Sequence, residues 1–167
     1  MHLKGKLVTS RWYVLCCKAH KEQVVLQRLQ HLELETYFPC SLTPNGRTGK
    51  LELRPYFPGY LFVRVDLDEV NLSTFQWMPN TEGLVRFGVR PAFVPDHILQ
   101  SVRRHVEKAN TRSEIRILAS PGSLMSGEPE MNPGEYSAFL SLELSSDERV
   151  SGLLSMLEEL SLPPASG

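Results

Sequence analysis

Apolar positions crowd most tightly over Leu53–Val65 (LRPYFPGYLFVRV). Pro58-Gly59 punctuates this run like a bend. Beyond it, Tyr60, Phe62, Val63 and Val65 predict a strand buried on at least one face. Tyr56, Phe57, Tyr60 and Phe62 fall within seven residues. A two-layer domain of this size seldom hides four aromatics from one strand, so some are expected at the surface as a docking patch. Upstream, Arg11–Lys18 predicts a first strand, and His20–Leu34 a helix with Val25, Leu29 and Leu32 on one stripe. Lys21, Glu22, Gln27, Arg28 and Gln30 fill its polar face. Glu35–Leu42 predicts a second strand, interrupted at Pro39 and therefore at an edge. Pro44–Lys50 supplies a hairpin tip.

Downstream, Asn71 or Ser73 is placed to cap a short helix that includes Phe75–Met78. Gly83–Phe87 predicts a strand ended by Gly88. Asp96–Ala109 predicts a helix on Ile98, Leu99, Val102 and Val106, with Arg103, Arg104, His105 and Lys108 in its last turns, as the helix dipole prefers. Strands in the middle with flanking helices define an α+β domain with a mainly antiparallel sheet. Asn110–Glu114 looks like a linker. It divides 1–110 from 115–167, with 111–114 between them. From Ile115 onward, prolines and glycines break the pattern. Tyr136–Leu144 alternates weakly, as a strand would. Leu153, Leu154, Met156, Leu157 and Leu160 fit a helical stripe, but the same stretch fits a strand pair in a small barrel. The tail, 163–167, is expected to fray.

Charge adds an asymmetry to this picture. Residues 1–110 hold 15 Lys and Arg against 10 Asp and Glu; residues 111–167 hold 3 against 9. A basic body with an acidic tail is suited to meet a polyanion and to rest the tail against the body. The uncharged apolar runs fall far short of about 20 residues, so no membrane span is expected. Cys16, Cys17 and Cys40 form neither a metal-ligand spacing nor a disulfide framework, which fits a reducing cytoplasm. No phosphate-cradling glycine loop occurs, and no cofactor or metal is expected. Cys16 is a conceivable nucleophile, but a cysteine in an apolar strand is usually packing. Asp66 and Asp68 at a strand end read as solubilising charge.

Five blocks in order carry a resemblance: Trp12-Tyr13-Val14-Leu15, Tyr37-Phe38-Pro39, Phe57–Val63, Gly83–Gly88 and Ala92-Phe93-Val94-Pro95. Together, over about residues 11–108, they resemble the N-terminal (NGN) domain of the NusG family, with phrasing nearest its specialised RfaH-like branch. The resemblance implies a bacterial transcription elongation and antitermination factor, cytoplasmic, monomeric and not an enzyme. Such a factor docks an apolar surface on the clamp helices of the largest RNA polymerase subunit and suppresses pausing or termination. By position, Phe57, Pro58, Tyr60, Phe62, Phe87 and Leu99 would meet polymerase. Ser73 and Thr74 stand where the branch has a threonine-rich second polymerase contact. Lys18, Lys21 and Arg28 would contact the non-template DNA strand. Glu82 departs from the branch, which offers an arginine there. The resemblance also implies a C-terminal KOW-like β-barrel that recruits a ribosomal protein or Rho. Its alternative in the RfaH-like branch is a helical hairpin that masks the polymerase-binding face. A nucleic-acid-binding module independent of polymerase is the rival function.

Overall fold

The computed structural model describes residues 9–118 and 144–163. In chain order the elements are β1 (Arg11–Cys17), α1 (Glu22–His31), β2 (Glu35–Tyr37), β3 (Cys40–Pro44), β4 (Leu51–Pro55), β5 (Tyr60–Val65), α2 (Leu72–Gln76), β6 (Thr81–Leu84), β7 (Phe93–Val94), α3 (Asp96–Leu118) and α4 (Ser146–Ser161). The main sheet runs β2-β5-β1-β6, with β7 also paired to β1, and every pairing is antiparallel. β3 and β4 form a separate hairpin.

Both faces of the sheet are covered, and the alternation of side chains along β1 and β5 says by what. Tyr13, Leu15, Cys17, Leu61, Val63 and Val65 face one core with Val25 and Leu29 of α1 and Phe75 of α2. Trp12, Val14 and Phe62 face the other, with Ile98, Leu99, Val102 and Val106 of α3 and Leu153, Met156 and Leu157 of α4. The result is three layers rather than two. That third layer is why the aromatic patch is not open: Tyr56, Phe57 and Phe62 are fully buried and Tyr60 is half-buried.

Several expectations are corrected. Glu35–Leu42 is not one strand; Pro39 separates β2 and β3 into different sheets. The strand expected at Gly83–Phe87 is β6, two residues earlier and shorter. α1 begins only after His20, which adopts a left-handed φ of 61°. Leu32 caps its far end and is exposed rather than in the stripe. Glu22 is buried, because its carboxylate accepts the Gly59 N–H at 2.9 Å. Gly59 itself takes φ +84° in the bend, which L side chains rarely adopt. α3 does not end at Ala109; it runs to Leu118, so the expected linker 111–114 is helical. Its cations therefore sit mid-helix, and the dipole account of them fails. Arg103 instead lies over the rings of Tyr37 and Trp12, at 4.7 and 5.7 Å. Over 146–161 the chain is helix, not barrel strand. The weak strand at 136–144 and the frayed tail lie almost wholly outside the described residues.

Candidate functional site

Helix α4 defines the site by what it covers. Its start is set locally: the Ser145 hydroxyl accepts from the Glu148 N–H and the Glu148 carboxylate accepts from the Ser145 N–H, a capping box. That hydrogen bonding holds the Glu148 carboxyl below its ordinary range. Leu153, Met156 and Leu157 point inward onto the core containing Tyr56, Phe57, Phe62, Leu99 and Val94. Burial of three such side chains contributes at most about 5–9 kcal/mol toward docking. Glu158 and Glu159 face solvent.

The one cation of this helix does the opposite of what charge patterning predicts for an acidic segment. Arg149 is buried. Its Nε donates to the Tyr56 carbonyl at 3.1 Å, Nη1 to the Leu144 carbonyl at 2.7 Å and Nη2 to Ser146 Oγ at 3.2 Å. The guanidinium carbon lies 4.3 Å from the centre of the Tyr56 ring. Among the described residues, α4 therefore rests on the body through apolar contact and Arg149.

The six residues implied to meet polymerase divide by position. Phe57, Phe62 and Leu99 are sealed in the core that α4 shares. Tyr60 and Phe87 are half-buried at its margin, and Pro58 is exposed. Phe87 also lines an open groove of about 690 Å³ with Arg11, Arg90, Phe93 and Leu160, at the far end of α4. The structure thus gathers five of the six around one core, with Pro58 in the adjoining turn. In the sequence Tyr56 is read only as one of four clustered aromatics, and Arg149 is not singled out at all. The available signal for Arg149 was that no other Lys or Arg follows Arg116.

A second region lies just beyond the C-terminal end of β1, the end at which Tyr60 pairs with Cys16. Lys18, Lys21 and Arg28 are all exposed. The Lys21 N–H donates to the Lys18 carbonyl at 3.1 Å, so these two share one turn. Arg28 follows on α1, about 10 Å further along at the helical rise. Ser73 and Thr74 lie in α2, where Asn71 caps the helix by accepting from the Ser73 N–H. Glu82 accepts from Cys16 Sγ at 3.4 Å. Burial, then the Glu82 hydrogen bond, pushes the Cys16 thiol up to about 11, so it is a poor nucleophile at neutral pH. Among the described residues no cluster of His, Cys, Asp and Glu is arranged to hold a metal, and no helix is long and apolar enough to cross a membrane.

Fold and site together define a small α+β module of antiparallel sheet, one face closed by the chain's own C-terminal helix. The family model described as transcription termination factor nusG matches residues 10–103. The transcription termination/antitermination protein NusG of Pseudomonas aeruginosa is 24% identical over 128 residues, covering 69% of this chain and 72% of that protein. A solved structure, described as domain interaction in Thermotoga maritima NusG, overlaps 57% of this chain and 56% of its own at 18% identity, with a TM-score of 0.40. The family match spans more than half of the sequence, and the chain belongs to the NusG family of transcription termination and antitermination factors.

Proposed function

We propose that this protein is an elongation and antitermination factor of the RfaH-like kind, which docks on the clamp helices of the largest RNA polymerase subunit and acts on particular operons. The observation that carries the proposal is the seat of α4. A surface built from Tyr56, Phe57, Phe62, Leu99 and their neighbours already accommodates one amphipathic helix through Leu153, Met156 and Leu157. Helix-in-groove recognition needs that same chemistry from a partner. In the free chain, α4 then masks the face, and polymerase binding requires it to leave. The exposed Lys18, Lys21 and Arg28 follow the non-template DNA strand, and Ser73 and Thr74 make a second polymerase contact. Residues 1–110 form the polymerase-facing body in this scheme. Residues 115–167 are the regulatory segment, to which a ribosomal protein or Rho is recruited once α4 is free. The setting is the cytoplasm.

Pull-down of core polymerase by the full chain tests the proposal. Leu153→Ala with Leu157→Ala should raise capture, Tyr60→Ala should lower it, and Lys21→Ala should leave it unchanged. Nucleic-acid binding by the free chain, with no polymerase captured by any variant, would establish the polymerase-independent module instead.

A further inference from the structure

Two tryptophans occur in the chain, and the fold treats them oppositely. Trp12 is 3% exposed in the core, whereas Trp77 is 78% exposed at the end of α2. Single exposed apolar side chains are ordinary. The mount of Trp77 is what sets it apart. Its N–H donates to the Ser73 carbonyl at 3.0 Å, closing the helix. Phe75 and Met78 on either side are buried in the core. The Thr81 hydroxyl is within hydrogen-bond reach of both the Phe75 and Met78 carbonyls, at 2.5 and 2.7 Å. The backbone carrying the indole is therefore rigid while the ring projects into water.

The loop that follows is tied to the basic turn. The Asn80 carbonyl accepts the Lys18 N–H at 2.9 Å, and Cys17 pairs with Thr81. An exposed indole thus stands on a loop bonded directly to the turn that presents Lys18 and Lys21. Glu82, the nearest carboxylate along the chain, accepts from Cys16 Sγ, and it lines a small recess with Leu72 and Gln76 of α2 and with Arg86. Ser73, Gln76 and Pro79, close to Trp77 in sequence, are exposed. Leu72, the other exposed apolar residue of α2, lines the groove with Phe93. A lone ring on a rigid, positively flanked background lacks the contiguous apolar area of a protein interface. It matches the pairing of cationic track and aromatic platform that holds single-stranded nucleic acid.

We propose that Trp77 is a stacking platform for an unpaired base of single-stranded DNA whose phosphates run along Lys18 and Lys21. This rests on the DNA contact proposed above and adds a base contact to it. Rigid mounting lowers the ordering entropy lost on binding.

The test is titration of the full chain with a single-stranded oligothymidylate of about 12 nucleotides, within the span such sites cover. Acrylamide-accessible tryptophan emission reports Trp77, since Trp12 is buried. DNA should shield that emission. Trp77→Ala should weaken binding roughly 5- to 100-fold with the salt slope unchanged, and Trp77→Phe should recover most of it. Lys18→Ala with Lys21→Ala should instead flatten the salt slope by roughly 1.4, about 0.7 per lost phosphate contact. Equal DNA affinity of Trp77→Ala and the parent, with the lysine variant weakened, would overturn stacking and leave the cationic track standing. Loss of polymerase capture by Trp77→Ala with DNA affinity intact would make the ring a protein contact and overturn the proposal. A parent chain that captures polymerase but binds no single-stranded DNA would remove both the track and the platform.

Discussion

At the scale of single residues, Arg149 has the largest consequence. Burial of its guanidinium is tolerated because two carbonyls, a hydroxyl and a ring face supply what water would. Arg149→Ala leaves the buried Tyr56 carbonyl without this donor, at a cost of about 1–3 kcal/mol. Arg149→Lys should rescue only part of that, since an ammonium cannot reproduce the planar fork. Hydrogen exchange of the α4 amides should quicken in both variants, most in the alanine. The cysteines carry a separate expectation. Burial pushes Cys16 and Cys40 up to about 11 and Cys17 up to about 12. These folded values lie above those of an unfolded thiol, near 8.5. The stability they confer is complete below that value and is lost as pH climbs toward 11–12. Denaturant midpoints should therefore fall between pH 8.5 and 11, and fall less in Cys17→Ala. Alkylation of the native thiols at neutral pH should be slow compared with the unfolded chain.

At the scale of elements, α4 stands on its cap and its stripe. Ser145→Ala should cost about 0.5–2 kcal/mol of α4 docking, and Leu153→Ala about 2–5 kcal/mol, both readable as faster exchange confined to 146–161. The cap is written in the sequence. Ser145-Ser146-Asp147-Glu148 ahead of a leucine-rich run is a helix-start signature, and it discriminates where periodicity alone does not. The strand order along Trp12-Tyr13-Val14-Leu15, the bend at Pro58-Gly59 and the cap at Asn71 are also legible there, because each is decided by local chemistry. The far half of α3 is not. Asn110-Thr111-Arg112-Ser113 has poor helix propensity and no apolar stripe. What holds it is distant in sequence, as Asn110 and Ser113 bond to Cys40 and Leu42 of β3. Of the residues proposed to dock, Phe57, Tyr60 and Phe62 are legible through aromatic density, but the burial of Phe57 and Phe62 is not. Nothing in Tyr56–Phe62 announces that a helix ninety residues later will close over it.

At the scale of the whole molecule, the described part of the acidic tail meets the basic body through α4, and among the described residues that contact is not one of charge complementarity. Among the described residues, α4 is held by apolar side chains and by Arg149 on neutral acceptors, and buried contacts of that kind are little screened. Exchange protection of α4 should therefore be nearly the same at 50 mM and 500 mM salt. The DNA binding proposed for Lys18 and Lys21 should drop steeply over the same range. Under the proposed function, salt should therefore strip the strand from the protein without lifting the helix from its seat.

The side chains of Asn110 and Ser113 have a further consequence for β3. The Leu42 N–H donates to Asn110 Oδ1 at 2.8 Å, Asn110 Nδ2 donates to the Cys40 carbonyl at 3.2 Å, and Ser113 Oγ donates to the Leu42 carbonyl at 2.9 Å. An amide and a hydroxyl borrowed from a helix are acting as a neighbouring strand. A chain cut just ahead of Asn110 would bare that seam and invite a second molecule to zip onto it. Light scattering of such a fragment should report more self-association than a fragment ending after Leu118, which lacks α4 equally but keeps the seam covered.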